Sequence, residues 1–257
     1  MRTRPFARLV ALSALAASAA CSGSDIPAAP PQSRADLNLA FVELGSSAIP
    51  AATTTIAGVP AVAPSIGDRS ACVYTASSQR FICPTRNAGG LTIDGSYALL
   101  TAAGSPQSAF DPASTSAVRT DVTVVGTVSD PATRVTIDAK QTLTLSGLLT
   151  GIHVLDGTAT SKVTGTVVEG STSVPITSST TTTISKLVMP HSSSPGRWPV
   201  SGTITSENST SLSGLPPVQT RIEITFDGTG RGGMIITVAG VTKRCAVDLA
   251  TQGPTCS

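Results

Sequence analysis

The chain has 257 residues, of which 40% are hydrophobic, 12% charged and 3% aromatic, and its formal net charge is +2. This length and apolar content suffice for one sizeable core and do not require two domains. Removing Arg2, Arg4 and Arg8, which lie in a leader-like start, from the 17 Lys and Arg leaves 14 basic against 15 acidic side chains, a net charge of −1. A domain so close to neutral lacks the basic surface of a nucleic-acid-binding protein.

Residues 1–20 have the pattern of an export signal, with a basic start, an apolar run over residues 9–17 and then small residues. Ser18, Ala19 and Ala20 directly precede Cys21. This stretch resembles the lipobox of bacterial lipoproteins, in which the cysteine becomes the lipidated first residue of the mature chain. The resemblance implies lipidation of Cys21 and a place in the cell envelope, at the outer membrane facing the periplasm or the exterior. An ordinary secretory signal, cleaved at the same small residues, is the alternative.

The residues after Cys21 predict a tether followed by one domain. Residues 21–35 are rich in Ser, Gly, Pro and Ala, which cannot build a core, so we expect a flexible link to the membrane. Residues 36–257 form the predicted domain. Its first stretch, residues 36–44, fits a strand or a helix, with the strand favoured, and residues 49–66 read as an extended connector because of their prolines.

Four further cysteines form two groups with the same spacing. Cys72 and Cys83 are eleven residues apart, as are Cys245 and Cys256, and each group fits a hairpin with one cysteine on each arm. An exported chain oxidises such cysteines, so the expected pairs are 72 with 83 and 245 with 256, although sequence cannot fix the connectivity. A zinc site is the rival reading, but zinc ligands usually come in closer groups.

The clearest strand pattern lies in residues 134–145. Apolar residues alternate with polar ones along the whole stretch, and Gln141 is the single polar break on the apolar side. A period of two predicts a strand with one buried and one solvated face. Before it, residues 91–101 predict two short strands about Asp94 and Gly95.

Further strands predicted by the same pattern make a meander. Asp156 and Gly157 predict a break in one of them, Pro175 an edge or a bulge in another, and residues 208–217 a loop. The predicted strands are residues 118–128, 134–145, 152–168, 174–189, 198–205, 221–226, 234–238 and 241–249. In all, we expect an all-β fold of about ten to twelve antiparallel strands, curled into a barrel or half-barrel, with a β-sandwich as the alternative.

Three sets of residues suggest chemistry but fit plainer roles. Gly228 to Gly233 matches G-x-G-x-x-G, yet a strand pattern follows it instead of the helix of a dinucleotide site, so a hairpin loop is predicted. His153 and His191 lack metal-ligand spacing. Asp130, Asp138, Asp156 and Asp227 fit turns or the polar side of strands. The sequence therefore predicts no catalytic residue, no metal site and no cofactor.

One surface of the predicted sheet is a candidate for binding. Thr177, Ser179, Thr181 and Thr183 share one parity of a strand and would form a row of hydroxyl groups. Such a row suits a plain solvated strand and also suits contact with a polysaccharide or another β-surface.

The sequence thus predicts a non-enzymatic, lipid-anchored β domain of the cell envelope, with a structural, adhesive or binding role. It resembles the all-β lipoproteins of environmental bacteria, a resemblance that implies no particular activity. The expected partners are the membrane, through the lipid, and an envelope polysaccharide, protein or lipid. The alternative function is a carrier that holds an apolar ligand such as a lipid within a curled sheet.

Overall fold

The computed structural model describes residues 72–129, 133–169, 172–189, 198–212, 215–249 and 253–256. These ranges contain strands, turns and bends and no helix, and so no helix long and apolar enough to cross a membrane. The predicted leader, Cys21, the tether, the stretch over residues 36–44 and the connector lie outside the described residues, as do Asp130 and His191.

The described residues form fourteen strands in one sheet. The strands are β1 (Val73–Thr75), β2 (Arg80–Ile82), β3 (Arg86–Ala88), β4 (Leu91–Leu100), β5 (Pro106–Gln107), β6 (Ala117–Ser129), β7 (Thr133–Ser146), β8 (His153–Glu169), β9 (Thr172–Met189), β10 (Ser201–Leu212), β11 (Val218–Phe226), β12 (Arg231–Val238), β13 (Val241–Asp248) and β14 (Gly253–Cys256). This number exceeds the predicted ten to twelve because several strands have only two to four residues.

The sheet is an antiparallel meander that does not close. Its order is β1-β2-β4-β6 and then every strand in turn to β14, while β3 and β5 pair with β4 beside this path. Because successive strands are neighbours, tight turns and short loops suffice to connect most of them. The predicted all-β antiparallel meander is confirmed.

β7 shows how alternation divides the sheet into two faces. Its buried residues Ile137, Leu143 and Leu145 lie on one side, and the exposed Asp138 and Lys140 lie on the other. We call the side of Ile137 the inner face and the opposite side the outer face. The predicted alternation of residues 134–145 is confirmed.

The inner face holds the core and shows that the sheet is curled. The main cluster joins strands that are far apart in the sheet order, from Leu143 on β7 to Val247 on β13, and Leu187, Ile236 and Val247 have no exposed surface. A flat single sheet would leave one side of these residues open to solvent. Burial this complete in a sheet that does not close indicates that the sheet is curled over its inner face, as in a half-barrel.

Two smaller clusters complete the inner face. Phe81 stacks on Tyr97 with ring centroids 4.6 Å apart, beside Leu99 and Val118, at the N-terminal flank of the sheet. The other cluster centres on Leu91, Ile137 and Val163 near the opposite ends of the strands. The inner face is therefore apolar at both ends of the long strands.

Disulfide bonds close the hairpins at the two edges of the sheet. Cys72 is bonded to Cys83 across β1 and β2, and Cys245 to Cys256 across β13 and β14, each with the two Cα atoms 4.0 Å apart. The sequence predicted both pairs. Each bond pins a strand of only three or four residues, which by itself would hold few ladder hydrogen bonds.

Two predicted breaks within strands are wrong. Asp94 and Gly95 lie inside the continuous strand β4, opposite Thr123 and Val122 of β6, so pairing along the strand overrides their turn chemistry. Asp156 and Gly157 likewise do not interrupt β8. They lie at a register shift where Ser185 and Lys186 of β9 oppose Asp156 alone, so β9 carries the extra residue, and the backbone N–H of Lys186 donates to Asp156 Oδ1 at 2.7 Å.

Two further predictions fail at β9 and β10. Residues 208–217 were expected to form a loop, but β10 continues to Leu212. Pro175 is neither on an edge strand nor in a bulge, because β9 lies between β8 and β10 and Pro175 is paired with Thr166. The described register with β10 ends at Ile176, opposite Leu212, so the pairing described for Pro175 is with β8 alone.

Candidate functional site

The outer face of β9 carries the row of hydroxyl groups that the sequence singled out. Thr177, Ser179 and Thr181 are exposed and Thr183 is half-buried, so the four side chains share the solvated face. The β-branched threonines favour the extended backbone, which explains how a run without apolar residues on this side stays in a strand.

Neighbouring strands extend this row into a surface. Thr183 lies in register between Thr158 of β8 and Thr205 of β10, while Thr181 lies beside Thr160. Adjacent strands are about 4.8 Å apart, so the hydroxyls form short rows across the sheet. We define the outer hydroxyl face by seven residues: Thr158, Thr160, Thr177, Ser179, Thr181, Thr183 and Thr205.

Charged residues flank the outer hydroxyl face on the side of β11. Arg221 donates to Glu207 of β10 and, at 3.0 Å, to Glu223 of its own strand. The hydrogen bond to Glu223 raises the pKa of the Arg221 guanidinium above its ordinary value. All three residues belong to the outer side of the sheet, where one arginine pairs with two glutamates and a net charge of −1 remains.

The same serine- and threonine-rich run also places polar groups on the inner face. Asn208 Nδ2 donates to Ser178 Oγ and to Thr180 Oγ1, each at 2.9 Å, and Asn208 Oδ1 accepts from Thr210 at 2.7 Å. Ser178 is only 3% exposed. Thr182 Oγ1 donates to Ser206 Oγ at 3.4 Å. This network joins β9 to β10 and explains why β10 continues through its polar residues.

These residues belong to a polar strip that runs across the inner face at mid-height. We define the inner polar belt by six half-buried residues on β7 to β10: Gln141, Ser161, Thr180, Thr182, Ser206 and Asn208. Residues that are paired across successive strands form rows that we call register rows. Half-buried apolar residues flank the belt in its own register rows, among them Val122 and Val124 on β6 and Ile222 on β11.

The inner polar belt was not predicted, although the sequence contains a signal for it. In β9 the residues Ile176 and Ile184 share the parity of Ser178, Thr180 and Thr182. Two isoleucines at the ends of the run mark the buried parity. The hydroxyl residues between them therefore had to face inward, like the isoleucines.

The glycine-rich segment is the hairpin loop that the sequence predicted. It connects β11 to β12, and β12 begins at Arg231 inside the motif. Asp227 Oδ1 accepts hydrogen bonds from the hydroxyl of Thr229 at 2.7 Å and from its backbone N–H at 2.9 Å. These bonds hold the pKa of the Asp227 carboxyl below its ordinary value. A Cβ on Gly230 would lie 3.1 Å from Trp198 Nε1, so the ring packs closely over this loop.

The remaining candidate residues are not brought together into a reactive site. His153 is half-buried at the start of β8, in register with Met189. Asp138 is exposed on the outer face, and Asp156 accepts the Lys186 N–H at the bulge. Among the described residues, no group of three or more His, Cys, Asp or Glu could hold a metal ion.

Comparison with protein families, with curated proteins and with solved structures finds no match to the chain.

Proposed function

We propose that this chain is a non-enzymatic binding module of the cell envelope that contacts a polysaccharide through its outer hydroxyl face. The observation that carries the proposal is the set of threonine and serine side chains on the outer side of β8, β9 and β10, within which the exposed Lys162 lies beside Ser179 and the exposed Glu207 beside Thr181. Hydroxyl groups both donate and accept hydrogen bonds, and they match the hydroxyl groups of a neutral sugar chain.

The extended shape of this surface suits a polymer better than a small substrate. The face lies on paired strands, so its positions are held by the backbone ladder. Binding then costs little ordering of side chains, since threonine has a single stiff χ1 torsion. A repeating ligand can use several weak contacts at once, which raises its overall affinity.

The proposed location is the outer membrane, with a lipid on Cys21 as the anchor. The small residues before Cys21 and the basic, apolar leader support this location. The two disulfide bonds are compatible with it, because such bonds persist outside the reducing cytoplasm. Replacing Cys21 with alanine should move the protein from the membrane fraction to the soluble fraction, and continued membrane association would contradict the lipid anchor.

Co-sedimentation of the full chain with purified peptidoglycan sacculi and with an insoluble neutral glucan tests the polysaccharide contact. The test variant carries Thr177→Val, Thr181→Val and Thr183→Val, which remove hydroxyls from the outer hydroxyl face and keep the side-chain shape. We expect roughly a tenfold loss of affinity, on the scale of one to two net hydrogen bonds.

Thr255→Val provides the matched control, since Thr255 is an exposed threonine on β14 at the edge of the sheet. It should bind like the unaltered chain. Equal binding by the triple variant, or an equal loss in the control, would contradict a role for the outer hydroxyl face.

The second candidate function is a carrier with its ligand inside the curled sheet. The half-buried inner polar belt favours it, since a completely packed inner face would leave no accessible residues at mid-height. This candidate uses the opposite face of the same strands and is tested separately.

A further inference from the structure

The inner polar belt reverses the burial expected of a packed core. Toward one end of the strands, the next residues on the inner face, Leu143, Ile184 and Ile204, are buried. Toward the other end, Ile137, Val163 and Ser178 are buried as well. The middle of a filled half-barrel should be its least solvent-accessible part. Here the residues at mid-height are half-buried, and the residues on either side of them along the strands are buried. The geometry therefore defines a cleft at mid-height of the inner face.

The floor of the cleft is polar but uncharged. The belt carries hydroxyl and carboxamide groups on four consecutive strands, β7 to β10, and no ionisable side chain. Lys243 occupies one of the same register rows on β13, but Ile222 and Ile236 separate it from Ser206. Burying an ion directly on this uncharged floor would cost free energy.

The network beneath the cleft holds part of the floor in place. Both donor hydrogens of Asn208 are used by Ser178 and Thr180, and the Ser178 hydroxyl lies 3.1 Å from that of Thr210. Thr182 and Ser206 are joined only by the longer 3.4 Å bond and remain half-buried. A hydroxyl can donate once and accept twice, so this pair keeps the capacity to bond a further partner.

The walls of the cleft are mainly apolar, and the half-buried Thr220 of β11, beside Asn208, is a polar exception. Val122 and Val124 of β6 lie on one side of the belt, and Ile222 of β11 lies on the other. A matching ligand offers hydroxyl groups to the floor and C–H surface to the walls. A purely apolar lipid would remove water from the belt hydroxyls without replacing their hydrogen bonds, which is unfavourable.

We propose that the inner polar belt binds a neutral, polyhydroxylated ligand with an apolar side, of the class of a sugar unit or a glycoside, with Thr182 and Ser206 as its direct hydrogen-bonding residues. The site is separate from the outer hydroxyl face and needs no polymer. It also changes the ligand expected of a carrier, from a lipid to a hydroxyl-bearing molecule.

The test is ligand-observed saturation-transfer NMR on the full chain, with phenyl β-glucoside as the probe. Benzoate serves as the comparison, because it keeps the ring but replaces the hydroxyls with a charge. We expect saturation transfer to the glucoside and none to benzoate. The double variant Thr182→Val with Ser206→Ala should bind the glucoside at least about fivefold more weakly, as expected for one lost hydrogen bond.

Thr255→Val is the control, because Thr255 is exposed on β14 and belongs to neither the inner polar belt nor the outer hydroxyl face. The control should leave glucoside binding unchanged. Thr182→Ser alone, which keeps the hydroxyl and leaves Ser206 unaltered, should also retain glucoside binding. No transfer to the glucoside, equal transfer to benzoate, or equal binding by the double variant would each overturn the proposal. Loss of polysaccharide binding by the outer triple variant, with glucoside binding unchanged, would separate the two functions.

Discussion

The inner and outer faces of the sheet are built from the same strands but follow different rules. On the inner face, apolar clusters and two disulfide bonds surround a polar belt whose hydroxyls and amide bond to one another. On the outer face, threonines and paired charges meet solvent. The comparison shows that polar character alone does not locate the surface of this protein, since the residues of a single threonine run divide between the two faces.

The largest expected effect on stability is found by comparing two adjacent residues of β12. Ile236 has no exposed surface, whereas Ile235 is 38% exposed on the outer face. Ile236→Ala leaves a cavity in the main cluster and should lower the free energy of unfolding by about 2–5 kcal/mol. Ile235→Ala should change it by about 0.5 kcal/mol or less. Urea unfolding of the two variants measures both values, and equal losses would mean that the two faces do not differ in packing.

The next largest expected effect on stability comes from removing a disulfide bond. The two closed loops have equal length, with a sequence separation of 11 in each, so chain entropy predicts about 2–3 kcal/mol for either bond. Cys245 is buried in the main cluster, while Cys72 and Cys83 are half-buried beside the smaller aromatic cluster. Replacing both cysteines of a pair with alanine should therefore cost more for the C-terminal bond.

Urea unfolding without reductant measures this difference, with the opposite disulfide intact in each variant as the internal control. A greater loss from the N-terminal pair would show that the aromatic cluster depends on its staple more than the main cluster does. Reactive thiols at all four positions in the unfolded, unreduced chain would contradict the bonds themselves.

The sequence was sufficient to predict the structure where alternation and spacing determine it. In β7, five apolar residues on one parity outweigh Gln141, so burial of one face followed directly from the pattern. The cysteine spacing indicated both hairpins because a short oxidised loop restricts which residues can pair. The all-β meander followed from many such local patterns, which agree with one another.

The sequence was not sufficient where distant residues determine the structure. Asn208 follows a glutamate and precedes Ser209 and Thr210, a composition typical of a loop. It belongs to a strand because Ser178 and Thr180, about 30 residues earlier in the chain, accept its amide hydrogens. Only the register between β9 and β10 reveals these partners, and the inner polar belt depends on that register.

Asn208 and Ser209 are neighbours on opposite faces of β10, so substituting each in turn compares the inner polar belt with the outer face. Asn208→Ala leaves the buried Ser178 hydroxyl without one of its partners and should cost about 1–3 kcal/mol. Ser209→Ala removes only a hydrogen bond from Gln219, at the exposed side, and should cost about 0.5 kcal/mol or less. Urea unfolding of the two variants measures both losses of stability. A similar small loss from both would mean that the belt network adds little to stability.

The smallest effect is expected in the outer loop between β11 and β12. Hydrogen bonds from Thr229 lower the pKa of Asp227 from its ordinary value of 3.8, so the carboxylate form is favoured in the folded loop. A group with a depressed folded pKa contributes stability above its unfolded value and loses it as the pH falls through the folded value. The loop should therefore keep its structure at pH 5 and loosen only as the pH falls below 3.8.

The amide signal of Thr229, followed by NMR during acid titration, reports this change directly, because that N–H donates to Asp227 Oδ1. Its titration midpoint should lie below 3.8, the ordinary value for an aspartate. Asp227→Asn keeps an acceptor oxygen but cannot ionise, so its Thr229 signal should not titrate in this range. A midpoint at or above 3.8 in the unaltered chain would contradict the Asp227 turn. The core signal of Ile236, which lies in the main cluster and five residues beyond Arg231 in β12, should stay constant over the same range, since acid acts on the outer loop and not on the inner face.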